Sequence, residues 1–165
     1  MNSRVRPVLV GAFTAFLCCG AAAAADLSAV AQWAGQYPSD QSINGKPLWE
    51  DASVLEAVRV AMGKYFFAPL KKDLHAPEAP VTAGENGLFA AWTCTDGDDC
   101  GGNNLTVFFD TSAGKAQVCL RHSDGSGGKV EDLWLADGEA RPLPLNGCGI
   151  SERHPFASLK KFGAK

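Results

Sequence analysis

The sequence predicts an α+β domain in which an antiparallel sheet of four or five strands packs against one main amphipathic helix. One segment in the first half of the chain places apolar residues at helical intervals. From Pro77 onward, short apolar runs alternate with turn residues, as they do in successive hairpins. Four cysteines in the same second half indicate that disulfides close one or two of the loops.

The N-terminal segment has the features of a secretory signal peptide. Arg4 and Arg6 give it a positive start, and residues 8–18 form an apolar run of signal-peptide length. The alanines at 23–25 supply the small residues that a signal peptidase requires. The apolar run is shorter than a typical transmembrane helix. We therefore expect residues 1–25 to be removed.

The remaining residues, 26–165, are of a size typical for a single domain. A lipid anchor on Cys18 is the competing interpretation of the leader, but Phe16 and Leu17 stand where lipoprotein signals carry small residues. The arrangement is typical of bacterial export, and it predicts a periplasmic or secreted protein. Disulfides persist in those compartments.

The charge balance narrows the class of partner. The full chain carries a formal net charge of −3, and loss of two arginines with the leader makes the exported chain more acidic. Nucleic acids require basic surfaces, so the acidic balance argues against nucleic-acid binding. An acidic surface favours a cationic partner through long-range attraction.

The helical elements come first along the chain. Residues 27–33 could form a short helix. The main helix is expected to begin at 51–53, because Ser53 and Glu56 have the spacing of a capping box, and to stop at Pro69. Its predicted buried stripe consists of Val54, Leu55, Val58, Met62, Tyr65 and Phe66.

The strands follow. The predicted strands cover residues 88–92, 105–109, 116–121 and 130–135, with turns rich in glycine, asparagine and aspartate between them. Residues 136–150 are predicted to be irregular chain or a last short strand, and residues 156–165 to include a terminal helical turn.

The most informative motif is the short loop between Cys94 and Cys100, which lies between two predicted strands. Four cysteines allow three pairings, and proximity favours Cys94–Cys100, which leaves Cys119–Cys148. A closed loop of this kind loses less entropy on binding than an open one. The loop is therefore the candidate partner-binding element, and its residues are Thr95, Asp96, Gly97, Asp98 and Asp99.

This order of elements resembles the Ivy family, the inhibitors of vertebrate lysozyme. The similarity runs roughly over residues 49–148 and is strongest over 88–120, around Cys94, Cys100 and Gly101. In that family the loop reads Cys-Lys-Pro-His-Asp-Cys, and its histidine enters the lysozyme cleft and hydrogen-bonds to the catalytic carboxylates. The resemblance implies an Ivy-like fold and a binding protein that occludes the active-site cleft of a lysozyme with this loop.

The loop also departs from the family pattern. Cys100 and Asp99 match its end, but the histidine position falls on Asp98, the proline position falls on Gly97, and one residue is added. An ionised aspartate accepts hydrogen bonds and cannot donate one to a carboxylate. The alternative function is therefore a diverged periplasmic envelope-interaction protein that keeps the fold without lysozyme inhibition. The expected partner is lysozyme or another cationic secreted protein. The sequence is also compatible with a homodimer.

No catalytic constellation emerges from the sequence, so we expect a protein that is not an enzyme and that uses no cofactor. The triplet formed by His122, Ser123 and Asp124 names the residue types of a hydrolase triad, but adjacent residues cannot form that relay. The acidic loop and the asparagines after it offer oxygen atoms of the kind that calcium prefers, yet they lack the pattern of a calcium loop, and we predict no metal site.

Overall fold

A computed structural model describes residues 24–70, 77–95, 99–123, 129–148 and 156–163. The described residues form an antiparallel sheet of six strands in sequence order, with one main helix against it. The α+β class is therefore confirmed, whereas the predicted strand number of four or five is wrong. Most of residues 1–25, the loop residues Asp96, Gly97 and Asp98, and Asp124 lie outside the described residues.

The strands contain the four predicted runs and two short edge strands, of which the last lies within residues 136–150, where the sequence predicts irregular chain or a short strand. Their bounds are β1 Thr82–Ala83, β2 Leu88–Cys94, β3 Asn104–Asp110, β4 Lys115–Ser123, β5 Val130–Ala136 and β6 Glu139–Leu143. The β1–β2 and β5–β6 turns are tight, because Asn86 and Gly87, and Asp137 and Gly138, adopt the positive φ angles that such turns require. Strand β1 has only two residues, too few to produce an alternating pattern in the sequence.

The main helix, α1, spans Ala52–Leu70. Its first turn is capped by Asp51, whose Oδ1 accepts hydrogen bonds from the backbone N–H of Ser53 at 3.0 Å and of Val54 at 3.3 Å. The predicted capping box between Ser53 and Glu56 is therefore wrong: Ser53 lies inside the first turn, and Glu56 pairs with Arg59 on the helix surface. The side chain of the aspartate two residues earlier occupies the capping position and accepts from the free N–H groups.

Gly63 interrupts α1 with non-helical angles, φ 66° and ψ 168°. A Cβ at this position would lie 3.0 Å from the carbonyl oxygen of Gly138, so the helix and the β5–β6 turn meet where neither residue carries a side chain. The interruption also explains one error in the predicted stripe. Val58 and Met62 before it are buried, but Tyr65 after it is 80% exposed, because the break rotates the following turn relative to the first.

One face of the sheet is closed by α1 and by the N-terminal segment. The latter contains two short 3-10 helices, Ser28–Trp33 and Leu48–Glu50. Alternate residues of the strands point toward these elements and form a continuous apolar core. Its largest fully buried side chains include Trp33, Trp49, Phe109, Leu105 and Leu135.

The opposite face is covered in part by a second helix, α2, which spans Ala157–Phe162 and corresponds to the predicted helical turn. A smaller apolar cluster lies below it, in which Phe108 and Trp134 stack with ring centroids 5.6 Å apart. Across the described ranges, no helix is long and apolar enough to cross a membrane. The rest of this second face is polar, and the candidate site lies there.

Candidate functional site

The two predicted disulfides lie near the second face of the sheet. Cys94 is joined to Cys100 with Cα atoms 4.9 Å apart, and Cys119 is joined to Cys148 with Cα atoms 5.4 Å apart. These are the pairs that proximity in the sequence predicts. The first disulfide closes the loop between β2 and β3, and the second ties the chain after β6 to the centre of β4. Both sulfur bridges therefore hold irregular chain against the sheet.

The loop has a tightly bonded base. The backbone N–H of Thr95 donates to the carbonyl of Asn103 at 3.0 Å, which continues the β2–β3 pairing beyond Cys94. Asn104 Nδ2 donates to the carbonyl of Cys100 at 2.6 Å. The disulfide and these two bonds fix where the loop leaves and rejoins the sheet.

Asp99 stabilises the second half of the loop. It is exposed, but its Oδ1 accepts from the N–H of Gly102 at 2.9 Å, and its carbonyl accepts from the N–H of Asn103 at 2.8 Å. A side chain at Gly102 would collide with the Asp99 carboxylate. This carboxylate therefore holds the turn that leads into β3. The predicted partner-binding role of Asp99 stays a prediction, as do the roles of Thr95 and of the three loop residues that are not described.

Asn103 and Asn104 are the asparagines after the acidic loop whose oxygen atoms are of the kind that calcium prefers. Both are buried, at 9% and 7% exposure. Asn103 Oδ1 accepts from the N–H of Ser123 at 2.9 Å and so links the loop to the end of β4. The described residues contain no group of histidine, cysteine or acidic side chains arranged to hold a metal ion.

A buried ion pair lies beside the second disulfide. Arg121 donates through Nε and Nη2 to the two carboxylate oxygens of Asp132, at 2.9 and 3.1 Å, and also from Nη2 to Asn146 Oδ1 at 2.8 Å. The Asp132 side chain is fully buried. Its Oδ2 also accepts from the N–H of Cys148 at 3.3 Å. The pair thus fixes the segment after β6 to the sheet, and nothing in the sequence pattern indicated that these two residues meet.

Between the two disulfides, the second face forms a cleft of about 710 Å³. Cross-strand pairing explains its floor: Trp92 on β2 lies opposite Thr106 on β3, and Asn104 on β3 lies opposite Arg121 on β4. Trp92 also lines this cleft. The lining residues are Tyr37, Glu78, Ala79, Pro80, Thr82, Ala90, Trp92, Cys100, Gly101, Asn104, Thr106, Arg121 and Cys148.

Three side chains that line the cleft carry a buried polar atom with no hydrogen-bond partner among the described residues. These atoms are Asn104 Oδ1, Thr106 Oγ1 and Glu78 Oε2. The other carboxylate oxygen of Glu78 accepts from the N–H of Ser39 at 2.7 Å. Buried polar groups are nearly always paired in folded proteins, so these three atoms require hydrogen-bond partners from outside the described residues.

Comparison of this chain with protein-family models, with curated proteins and with solved structures gives no match. The resemblance to the Ivy family therefore rests on the order of elements and on the Cys94–Cys100 loop.

Proposed function

We propose that this chain is a periplasmic or secreted binding protein of the lysozyme-inhibitor type, whose Cys94–Cys100 loop occludes the active-site cleft of a cationic lysozyme. The observation that carries the proposal is the construction of the loop base. A disulfide and the hydrogen bonds of Thr95 and Asn104 tie both ends of the loop to paired strands. Because its ends are already fixed, a loop anchored in this way loses less conformational entropy when it enters a cleft.

The charge of the chain supports the choice of partner. The protein is acidic, with 18 acidic and 15 basic residues, and the loop sequence contains three aspartates. Opposite net charges accelerate encounter between two proteins, and this acceleration weakens as salt screens the charges. The inhibition itself is steric, because a loop in the cleft excludes the glycan substrate.

The proposal is tested by inhibition of vertebrate c-type, g-type and bacterial lysozymes by the exported chain with both disulfides formed. We expect inhibition of at least one class, and we expect the Cys94→Ser/Cys100→Ser variant to lose it. The matched control is Cys119→Ser/Cys148→Ser, which removes a disulfide outside the loop. At a temperature where circular dichroism shows both variants folded, the control should still inhibit.

The charge contribution has its own test in the same assay. Asp96→Asn/Asp98→Asn should slow association with the inhibited lysozyme and reduce the dependence of the association rate on salt. Glu139→Gln removes one exposed carboxylate on β6 and serves as the control.

Asp98→His restores the donor of the Ivy loop and should strengthen inhibition of vertebrate lysozyme. No inhibition of any class by the unaltered chain would refute the proposal in favour of the envelope-interaction alternative.

A further inference from the structure

The cleft between the disulfides suggests a second binding activity, separate from the loop. Its floor contains Asn104 and Thr106, two residues apart on β3, so both side chains point to the same face of the sheet. They are 7% and 1% exposed, and each has a polar atom without a partner among the described residues. The unpaired indole N–H groups of Trp33 and Trp49 belong instead to the closed core under α1.

The geometry of Asn104 determines which of its atoms is available. Its Nδ2 is held by the carbonyl of Cys100 at 2.6 Å, and a carbonyl can only accept a hydrogen bond, so the amide cannot be turned the other way. The free atom is therefore the acceptor Oδ1. The Thr106 hydroxyl can donate or accept, and Glu78 Oε2 adds another acceptor among the lining side chains. A ligand that satisfies these atoms must present several O–H or N–H donors.

The walls of the cleft add an aromatic surface. Trp92 lies directly across from Thr106, and Tyr37, which is 52% exposed, lines the same cavity. Aromatic rings beside hydrogen-bonding groups suit a ligand that has one apolar face and polar edges. The volume of about 710 Å³ lies within the usual range for small-molecule sites.

The lining of the cleft carries charges of both signs, which favours a neutral ligand. Arg121 lies opposite Asn104 on the neighbouring strand, and its guanidinium already binds Asp132 and Asn146. The Glu78 carboxylate lines the same cleft. An anion would be repelled by Glu78 and would compete with Asp132 for the Arg121 donors, whereas a cation would be attracted by Glu78 but repelled by Arg121. A neutral molecule with many hydroxyl groups meets neither repulsion.

We propose that this cleft binds a neutral oligosaccharide of two or three sugar units. A pyranose ring stacks on Trp92, while its hydroxyl groups donate to Asn104 Oδ1 and exchange a hydrogen bond with Thr106. This activity goes beyond the proposed inhibition of lysozyme, because it uses the face of the sheet and not the tip of the loop.

The test is isothermal titration calorimetry of the exported chain, with both disulfides formed, against chitotriose, cellotriose and maltotriose. Arginine amide and inorganic phosphate are titrated as cationic and anionic probes. We expect at least one trisaccharide to bind with a Kd below about 10 mM. This affinity is weak, but calorimetry still detects it. Thr106→Val should weaken that binding about fivefold to tenfold, because it removes one hydrogen bond without changing the size of the side chain.

The matched control is Thr93→Val. Thr93 is also fully buried on β2, but its pairing with Leu105 places it on the face covered by α1, and it should leave saccharide binding unchanged. Neither valine variant should alter lysozyme inhibition, so failure of this proposal is distinguishable from failure of the first. Three results would overturn the proposal. No trisaccharide gives binding heat at about 10 mM, the Thr106→Val variant binds the trisaccharide as tightly as the unaltered chain, or only arginine amide or phosphate binds.

Discussion

The two faces of the sheet are built from the same strands and closed in different ways. On the face toward α1, β3 contributes Leu105, Val107 and Phe109, all with no exposed surface. Burial of apolar area is not directional, so many side-chain combinations of similar volume can close such a face. Helix α1 and the N-terminal segment cover it completely in the region of these residues.

On the opposite face the alternate residues of β3 are Asn104, Thr106 and Phe108. Helix α2 covers the part around Phe108, and the remainder is held by two disulfides and by the Arg121–Asp132 pair. These interactions are directional and join particular atoms, so they can secure the surrounding chain without filling the space above the strands. Directional interactions between particular atoms therefore allow this face to keep a cleft, whereas the apolar face is closed by packing.

The largest expected effect comes from breaking the ion pair that secures the polar face. Asp132→Ala leaves Arg121 without its charge partner and removes the acceptor for the N–H of Cys148. Loss of one partner from a buried pair costs about 3–5 kcal/mol of unfolding free energy. Urea unfolding followed by tryptophan fluorescence, with the disulfides intact, measures this loss.

The double variant Arg121→Met/Asp132→Leu is the control for that measurement. It removes both charges together and should lose less stability than Asp132→Ala alone, since no unpaired charge stays buried. If Asp132→Ala costs less than about 1 kcal/mol, the pair is not what holds the segment after β6.

A smaller effect is expected at two buried threonines, one on each face of the sheet. The hydroxyl of Thr93, on the apolar face, donates to the carbonyl of Cys94 at 3.2 Å, and Thr93→Val should cost about 1 kcal/mol of unfolding free energy. The Thr106 hydroxyl, on the cleft face, has no partner among the described residues. Thr106→Val should therefore be neutral or stabilise the protein by up to about 1 kcal/mol.

Thermal unfolding of the two variants side by side checks this ranking. Equal losses at both positions would show that the Thr106 hydroxyl is paired in solution. That result would remove the difference in polar pairing on which the comparison rests.

A third effect, of the same size as that of Thr93→Val, concerns the helix that covers the apolar face. Burial raises the pKa of Asp51, but Lys46, at 3.0 Å, and the N–H groups of Val54 and Ser53 outweigh it and hold the pKa below its usual 3.8. A lowered pKa in the folded state means that this stabilisation is present above about pH 4 and is lost as the pH falls through the folded-state value.

Asp51→Ala should cost about 1 kcal/mol at neutral pH, the usual value of a helix cap, and the cost should shrink below about pH 4. Unfolding free energies of the two proteins measured from pH 7 to pH 2.5 test this. A difference that stays constant with pH would mean that the charge of Asp51 does not contribute to the cap.

Much of the fold could be predicted because its determinants are local. The β2–β5 strands follow from short apolar runs separated by turn residues, such as Gly114 between β3 and β4, which adopts a positive φ angle. Proximity predicted both disulfides. Errors arose where a local pattern was consistent with two structures, as at the start of α1, where Asp51 and Ser53 are both good caps and the geometry selects Asp51.

The α+β class and the succession of the central strands could be inferred from the sequence, and proximity favoured the observed disulfide pairs among three possible pairings, because each depends on residues that are close along the chain or on a regular period. The break at Gly63, the pairing of Arg121 with Asp132 and the cleft depend instead on contacts between residues that are distant along the chain. The cleft unites Tyr37 from the N-terminal segment, Trp92 and Thr106 from neighbouring strands, and Cys148 after the last strand. No periodic pattern connects such residues, since their proximity results from strand pairing and chain folding over long separations.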